Sequence, residues 1–178
     1  MTSANVYIGT SLDGFIARTD GDIDWLMKFA DSDAVDAYNE FMAAIDVIVI
    51  GRGTFEKVLE FPSWPYDKPV FVLSKTLQEV PDGLKGKAAV LSLEPADLLK
   101  NLSEKGYESA YVDGGKVIQS FLRADLIETL IVAKVPVIIG SGIPLFGSLD
   151  SDIAFDHVQT KSYPNGLVRS YYKRKRDI

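Results

Sequence analysis

The feature that most constrains the fold is a strand–glycine–helix junction that occurs twice. In the first, the β-branched run 46–50 ends in Gly-Arg-Gly-Thr (51–54), and a helical pattern follows. In the second, the apolar run that includes Tyr111 and Val112 ends in Gly114-Gly115, directly before another helical pattern. Short apolar strands that alternate with helices are typical of a parallel sheet with helices on both faces.

Further strands and helices are expected along the rest of the chain. Strands are predicted at 5–10, 70–73 and 88–91, and helices over 33–45 and 94–105. Residues 126–139 form one long strand pattern that Pro136 interrupts. The strands 153–162 and 167–173 flank Tyr-Pro-Asn-Gly (163–166), a strong hairpin signal.

Composition narrows the class of protein. The 178 residues are 47% hydrophobic and contain no linker or repeat, so we expect a single domain over 1–178. The net charge of -6 disfavours a nucleic-acid partner, since the only basic run is 173–176. The absence of cysteine and the presence of one histidine, His157, argue against disulfides and a metal site. No signal pattern or membrane-length apolar run is present, so we expect a soluble, cytoplasmic protein without a membrane partner.

The turns at the carboxyl ends of the strands indicate the ligand. In open α/β sheets ligands bind at that edge, and a helix N-terminus behind glycines attracts phosphate. A third turn, Ser-Lys-Thr (74–76), adds hydroxyls and a cation. Two helix N-termini and a basic turn suit a dinucleotide with an additional 2'-phosphate. Neither GxGxxG nor GxxxxGK[ST] occurs, which disfavours an ordinary Rossmann fold and a nucleoside triphosphatase.

Acidic and aromatic residues near the first loop are candidates for the substrate side. Trp25 and Phe29 follow a polar loop and could wall a pocket. Asp31 lies near the apolar face of the predicted helix 33–45 if that helix reaches back so far, and Asp36 lies at its edge. Such carboxylates more often serve as helix caps or solvated surface. Asp113, ahead of the paired glycines, is assigned to the substrate pocket.

Five short motifs in one order resemble a known family. They are Ser-Leu-Asp-Gly-Phe-Ile-Ala (11–17), Gly-Arg-Gly-Thr (51–54), Leu-Ser-Lys (73–75), Val-Asp-Gly-Gly (112–115) and Pro-Val-Ile-Ile-Gly-Ser-Gly-Ile-Pro-Leu-Phe (136–146). Together they resemble the dihydrofolate reductase-like superfamily, and within it the reductase domain of the bifunctional riboflavin-biosynthesis deaminase–reductase. The resemblance implies a three-layer α/β fold, with a central mixed, mostly parallel sheet and an antiparallel C-terminal hairpin.

The resemblance also implies NADPH as the cofactor and assigns residues to it. The pyrophosphate region is assigned to Gly51, Arg52, Gly53 and Thr54, and the 2'-phosphate to Ser74, Lys75 and Thr76. Gly114, Gly115, Lys116 and Val117 are assigned to the phosphates from the other side, and Ala17 to the nicotinamide. A cis peptide is expected between Gly114 and Gly115, and a homodimer is expected, with the strand 126–139 as a candidate surface.

We therefore hypothesise an NADPH-dependent reductase of the riboflavin-biosynthesis type, similar to the reductase of 5-amino-6-(5-phosphoribosylamino)uracil (the phosphoribosylaminouracil). Hydride passes to a small substrate with a polarised C=N or C=O bond, Asp36 or Asp31 orients the substrate or relays a proton, and Trp25 and Phe29 close the site. The zinc motifs of the deaminase half are absent. The alternatives are dihydrofolate reduction proper, which requires a buried carboxylate facing the pterin, and a non-catalytic nucleotide-binding protein that kept the fold.

Overall fold

A computed structural model describes residues 1–176; residues 177 and 178 of the predicted domain lie outside the described part. The strands are β1 (Ser3–Thr10), β2 (Phe15–Ala17), β3 (Val47–Gly51), β4 (Val70–Leu73), β5 (Ala88–Leu91), β6 (Ser109–Asp113), β7 (Ile127–Lys134), β8 (Ile143–Pro144), β9 (Phe155–Ser162) and β10 (Val168–Arg174). The α-helices are α1 (Asp24–Met27), α2 (Ser32–Ala43), α3 (Arg52–Val58), α4 (Pro95–Glu104) and α5 (Gly115–Arg123).

Eight of these strands form one sheet in the order β5-β4-β3-β6-β1-β7-β10-β9. All neighbours from β5 to β7 pair in parallel, whereas β10 runs antiparallel to both β7 and β9. The predicted mixed, mostly parallel sheet with an antiparallel C-terminal hairpin is therefore confirmed. β2 and β8 form a separate antiparallel ribbon.

The β-branched run of β3 is buried on both faces of the sheet. Val47 and Val49 belong to the core cluster that α4 and α5 cover, while Ile48 and Ile50 belong to the cluster that α2 and α3 help to form. Because successive side chains of a strand point to opposite faces, a strand between two helical layers is apolar at every position. The result is the expected three-layer arrangement.

The long strand predicted over 126–139 is wrong at its end. β7 stops at Lys134, because Pro136 has no N–H to donate to the ladder and the backbone turns there, with Val137 N donating to Val135 O at 2.9 Å. The chain then crosses the end of β1 and returns through β8.

The helices are short or amphipathic. None of those within residues 1–176 combines the length and the apolar character needed to cross a bilayer.

Candidate functional site

The two strand–glycine–helix junctions lie side by side. β3 and β6 are parallel neighbours, and Ile50 is in register with Asp113, so the glycines that follow them meet at one edge. A Cβ on Gly51 would lie 2.8 Å from Val117 Cγ2, and a Cβ on Gly114 would lie 2.5 Å from Thr54 Oγ1. The junctions therefore pack so closely that only glycine fits. We call this contact of Gly51, Gly114 and Gly115 the glycine edge.

The backbone at Gly114 turns into α5 without a cis peptide. The expected cis bond between Gly114 and Gly115 is wrong, since no peptide bond within residues 1–176 is cis. Gly114 instead has φ +106° and ψ 139°, a conformation that glycine reaches without steric cost. Gly115 packs against β8, where an added Cβ would lie 2.7 Å from Ile143 Cγ2. The first N–H groups of α5 lack helical partners and carry partial positive charge, so this turn suits an anion.

Arg52, Ser74 and Thr76 form one polar cluster at the ends of β3 and β4. Arg52 Nη1 donates to Thr76 Oγ1 at 2.9 Å, and Arg52 Nε donates to Glu56 Oε1 at 2.7 Å. Ser74 Oγ accepts from the backbone N–H groups of Thr76 and Leu77, which fixes the turn. A guanidinium beside two hydroxyls is a donor set that fits a phosphate.

Five further residues predicted to bind the cofactor lie outside the Arg52 cluster. Lys75 turns away from the Arg52 cluster, and its Nζ lies 2.5 Å from Glu94 Oε1. Lys116 is exposed on the first turn of α5, whereas Val117 is buried against Gly51. Gly53 and Thr54 stand at the start of α3 and face a cavity.

A cavity of about 550 Å³ opens beside the glycine edge. It brings together seven predicted site residues: Ala17, Phe29, Gly53, Thr54, Asp113, Gly114 and Gly115. Its volume is within the range of small-molecule sites. The predicted substrate-pocket residues Phe29 and Asp113 line it together with the predicted nicotinamide neighbour Ala17.

The carboxyl group of Asp113 is the main ionisable feature of this cavity. Burial raises the pKa of Asp113 to about 6, although the hydrogen bond from the Gly114 N–H partly offsets the effect. Desolvation disfavours the charged form of an acid, which is the cause of this shift. At neutral pH a fraction of the Asp113 side chains therefore still carries a proton.

Three tyrosines surround Asp113 and were not predicted as site residues. Tyr111 is two residues before Asp113 on the same face of β6, and its hydroxyl donates to Tyr7 O at 3.0 Å. Burial raises the pKa of Tyr38 to about 12 and also raises the pKa values of Tyr66 and Tyr111, so all three remain neutral. The period-2 spacing of Tyr111 and Asp113, just ahead of the paired glycines, is the sequence signal that could have located this group.

Asp31, Asp36 and Trp25 are not among the described residues that line the cavity. Asp31 caps α2 by accepting from Ala34 N at 3.0 Å, and Asp36 is exposed on the outer side of that helix. Trp25 is 2% exposed and belongs to a core cluster under α1. This placement does not support a catalytic role for either aspartate or a pocket role for Trp25, because helix capping, solvent and core packing already account for them.

The Ser-Leu-Asp-Gly turn (11–14) lies outside the cavity and holds the segment that leads to Ala17. Ser11 Oγ donates to Asp13 Oδ1 at 2.6 Å, and Asp13 accepts from the Ile139 and Gly140 N–H groups. This carboxylate thus ties the β1–β2 turn to the loop that follows β7. On the same loop, an added Cβ on Gly142 would lie 2.2 Å from Ala17 O, so the loop packs directly on the strand that carries Ala17.

Comparison with known proteins gives one consistent result. Residues 4–169 match the RibD C-terminal domain family. A crystal structure from Shewanella sp. PV-4, provisionally named as a riboflavin biosynthesis protein, is 40% identical and has a TM-score of 0.92, covering 98% of this chain and all (100%) of that one. The uncharacterised protein YwjB of Bacillus subtilis (strain 168) is 32% identical over 173 residues, which are 94% of this chain and 96% of YwjB.

A more distant structure shares the fold. It is the diaminohydroxyphosphoribosylaminopyrimidine deaminase/5-amino-6-(5-phosphoribosylamino)uracil reductase of Thermotoga maritima, which is 17% identical with a TM-score of 0.77. That alignment covers 98% of this chain and 57% of the longer protein. The resemblance inferred from the five motifs is confirmed.

Proposed function

Because the chain belongs to the RibD C-terminal domain family, a family of reductases, we propose that it is an NADPH-dependent reductase of the riboflavin-biosynthesis type. It transfers hydride to a small substrate with a polarised C=N or C=O bond. One observation carries this proposal: the glycine edge, the Arg52 cluster and the cavity with Asp113 are adjacent at the carboxyl ends of parallel strands. That edge is where α/β sheets bind their ligands.

The residues at this edge fit the parts of NADPH. The N–H groups that open α5 and the backbone of the Gly51–Thr54 turn suit the pyrophosphate. The sequence assigned the Arg52 side chain to the pyrophosphate, but it contacts Thr76, so we propose it for the 2'-phosphate together with Ser74 and Thr76. Lys75 contributes less, because its ammonium group lies on Glu94, whereas Arg52 still reaches Thr76 through Nη1 while its Nε donates to Glu56. Ala17 and Gly115 border the cavity on the side proposed for the nicotinamide. When bound, NADPH supplies the hydride.

Asp113 is the group proposed to deliver the proton. In its neutral form a carboxyl Oδ–H can donate to the substrate heteroatom as negative charge develops there. The raised pKa, about 6, keeps part of the population in this form near neutrality. The apolar walls of the cavity exclude water and orient the two reactants.

NADPH oxidation by the Asp113→Asn variant tests this role. We expect kcat to fall about 10²- to 10⁴-fold, because Asn cannot supply the proton. For the wild type, kcat should decline as the pH rises above about 6, where Asp113 loses its proton. The substrates to test are the phosphoribosylaminouracil, dihydrofolate and an uncharged conjugated carbonyl compound such as naphthoquinone, and the variants are compared on whichever of them the wild type reduces.

The matched control is Asp36→Asn, since Asp36 is an exposed carboxylate outside the cavity. Its kcat should remain within about twofold of the wild type. A wild-type rate for Asp113→Asn, or an equal loss in both variants, would rule out Asp113 as the proton donor.

Dihydrofolate reduction is a second candidate. It requires a carboxyl group that faces the pterin from a buried position, and Asp113 offers a half-buried one, although from β6 and not from the helix after the first loop. Turnover with dihydrofolate but not with the phosphoribosylaminouracil would favour this candidate.

We also propose a homodimer. β7, within the predicted surface 126–139, pairs with β1 on one edge and β10 on the other, so only its faces are available to a second copy. One of them borders a groove of about 350 Å³ lined by Thr129, Ile131 and Tyr171. Sedimentation should give twice the chain mass of 19.6 kDa; a species at the chain mass itself would exclude the dimer.

A further inference from the structure

The outer part of the cavity is apolar. Away from the glycine edge its wall consists mainly of aliphatic and aromatic side chains from α1 and the residues on either side of it, from α2 and from the segment after α3, including Ile23, Leu26, Met27, Phe29, Val35 and Phe61. Contact between this wall and an apolar ring is favourable because it removes apolar surface of both from water. The same wall offers few hydrogen-bond partners to ribose hydroxyls.

Large apolar side chains also form much of the mouth of the cavity. Met27, Val35 and Phe61 all line the cavity, yet they are 59%, 44% and 46% exposed. Large apolar side chains that remain in water around a concave site mark a surface that a ligand covers. A polar or charged tail at this mouth would cover them poorly.

The charges in the cavity also disfavour an anionic substrate. Within the described part of the chain, the cavity is lined by one basic residue, Lys57, and by two acidic residues, Asp22 and Asp113. Lys57 Nζ lies 2.9 Å from Glu60 Oε2, and the pKa of Lys57 is raised chiefly by that hydrogen bond. A substrate phosphate would therefore meet one ammonium group that is already paired and the carboxylate of Asp22, which repels it, while the neutral form of Asp113 offers it no positive charge.

We infer that the cavity takes an uncharged, planar, conjugated carbonyl or imine compound and not a phosphorylated ribosylpyrimidine. This inference rests on the proposed function for the hydride donor. The electrophilic carbon accepts the hydride of NADPH, the π bond breaks toward oxygen or nitrogen, and that atom takes one proton from the Asp113 carboxyl. The products are NADP⁺ and the alcohol or amine; with a quinone, the alcohol then loses its C–H proton to solvent and the second carbonyl oxygen gains one, which gives the hydroquinone. Asp113 regains its proton from water.

Two probes that differ by one anionic group test the inference. Naphthoquinone and naphthoquinone sulfonate share a planar conjugated carbonyl system, and the absence of cysteine removes thiol addition as a side reaction. Their Kd values are measured by calorimetry with the full chain, alone and saturated with NADP⁺, alongside that of the phosphoribosylaminouracil. We expect naphthoquinone to bind at least about tenfold more tightly than either anionic compound. Equal or tighter binding of an anionic compound, or no binding of naphthoquinone, would overturn the inference.

A pair of variants tests whether naphthoquinone binds at the mouth of the cavity. Phe61→Arg puts a cation at this rim, so naphthoquinone should lose about fivefold or more in affinity while the sulfonate gains. Val158→Arg makes the same change at a residue 50% exposed on β9, outside the cavity, and should change neither Kd. If both variants behave alike, the apolar mouth is not the binding surface and the inference fails.

The same titrations separate this inference from the proposed function. Binding of naphthoquinone without any binding of NADP⁺ or NADPH would support the assignment of the cavity and contradict the reductase. Binding of NADP⁺ with a preference for the phosphorylated substrate would do the reverse.

Discussion

The protonation of Asp113 connects the stability of the protein with its proposed chemistry. The carboxyl group lies at the end of β6, among tyrosines that burial keeps neutral, and its own pKa is raised to about 6 from 3.8. An acid whose pKa is higher in the folded than in the unfolded protein destabilises the fold once it ionises. The stability associated with its neutral form is complete below pH 3.8 and is lost as the pH rises through about 6.

Asp113→Asn should therefore gain stability relative to the wild type as the pH rises. The free energy of unfolding of the variant minus that of the wild type should be larger at pH 8 than at pH 4. The increase should not exceed about 3 kcal/mol, because one pKa unit corresponds to about 1.4 kcal/mol. Urea unfolding at both pH values measures this difference. A difference that does not change with pH would mean that Asp113 titrates normally in the folded protein.

The same residue shows where prediction from sequence was limited. Motif order predicts that Ala17, the paired glycines and Asp113 lie near one another, and they do line one cavity, because backbone turns within a few residues fix these positions. The choice between carboxylates depended on which one the folded chain buries, and that depends on contacts between distant segments. Asp31 proved to be a helix cap and Asp36 solvent-exposed.

At the scale of secondary-structure elements, glycine turns and a single carboxylate hold the site in place. The glycine edge allows α3 and α5 to begin next to each other, and Asp13 ties the loop after β7 to the β1–β2 turn. The contacts of Asp13 also help to explain why β7 is shorter than the strand predicted over 126–139. The apolar pattern continues past Lys134, but the backbone hydrogen bonds there go to the β1–β2 turn and to Asp13.

Gly114→Ala should destabilise the protein by about 1–3 kcal/mol, since φ is +106° and the new methyl group would press on Thr54 Oγ1. Gly83→Ala is the control, because a Cβ there meets nothing within 4 Å and its φ is not positive; its effect should stay within about 0.5 kcal/mol. Chemical denaturation compares the two. Equal stabilities would contradict the close packing of the two junctions.

Asp13→Asn should loosen the loop that carries Ile139 and Gly140. The pKa of Asp13 is lowered chiefly by the Ser11 hydrogen bond, so its ionised form is stabilising above pH 3.8 and this contribution is lost as the pH falls through the lowered folded-state pKa. Amide hydrogen exchange at these two residues should accelerate in the variant at pH 7, with Asp36→Asn unchanged. Unaltered exchange would show that the loop is held by other contacts.

At the scale of the whole molecule, the sheet brings separate sequence motifs to one edge. The order of strands in a sheet depends on pairing between segments far apart in the chain. Local sequence patterns therefore predict the strands but not their order, and the arrangement came from the family resemblance. The order β4-β3-β6-β1 places the Ser74 turn, the Arg52 turn, the paired glycines and the cavity in sequence along that edge. An extended ligand could contact all four.

The most direct test of this account is a calorimetric and thermal titration of the protein with NADPH and NADH. NADPH should raise the Tm, since a ligand at 100 times its Kd stabilises by about 2.7 kcal/mol. It should bind at least about tenfold more tightly than NADH. Arg52→Ala should remove most of that preference, and Lys75→Ala should remove less. No change in Tm with either cofactor, or an unchanged preference in Arg52→Ala, would contradict a dinucleotide site at this edge.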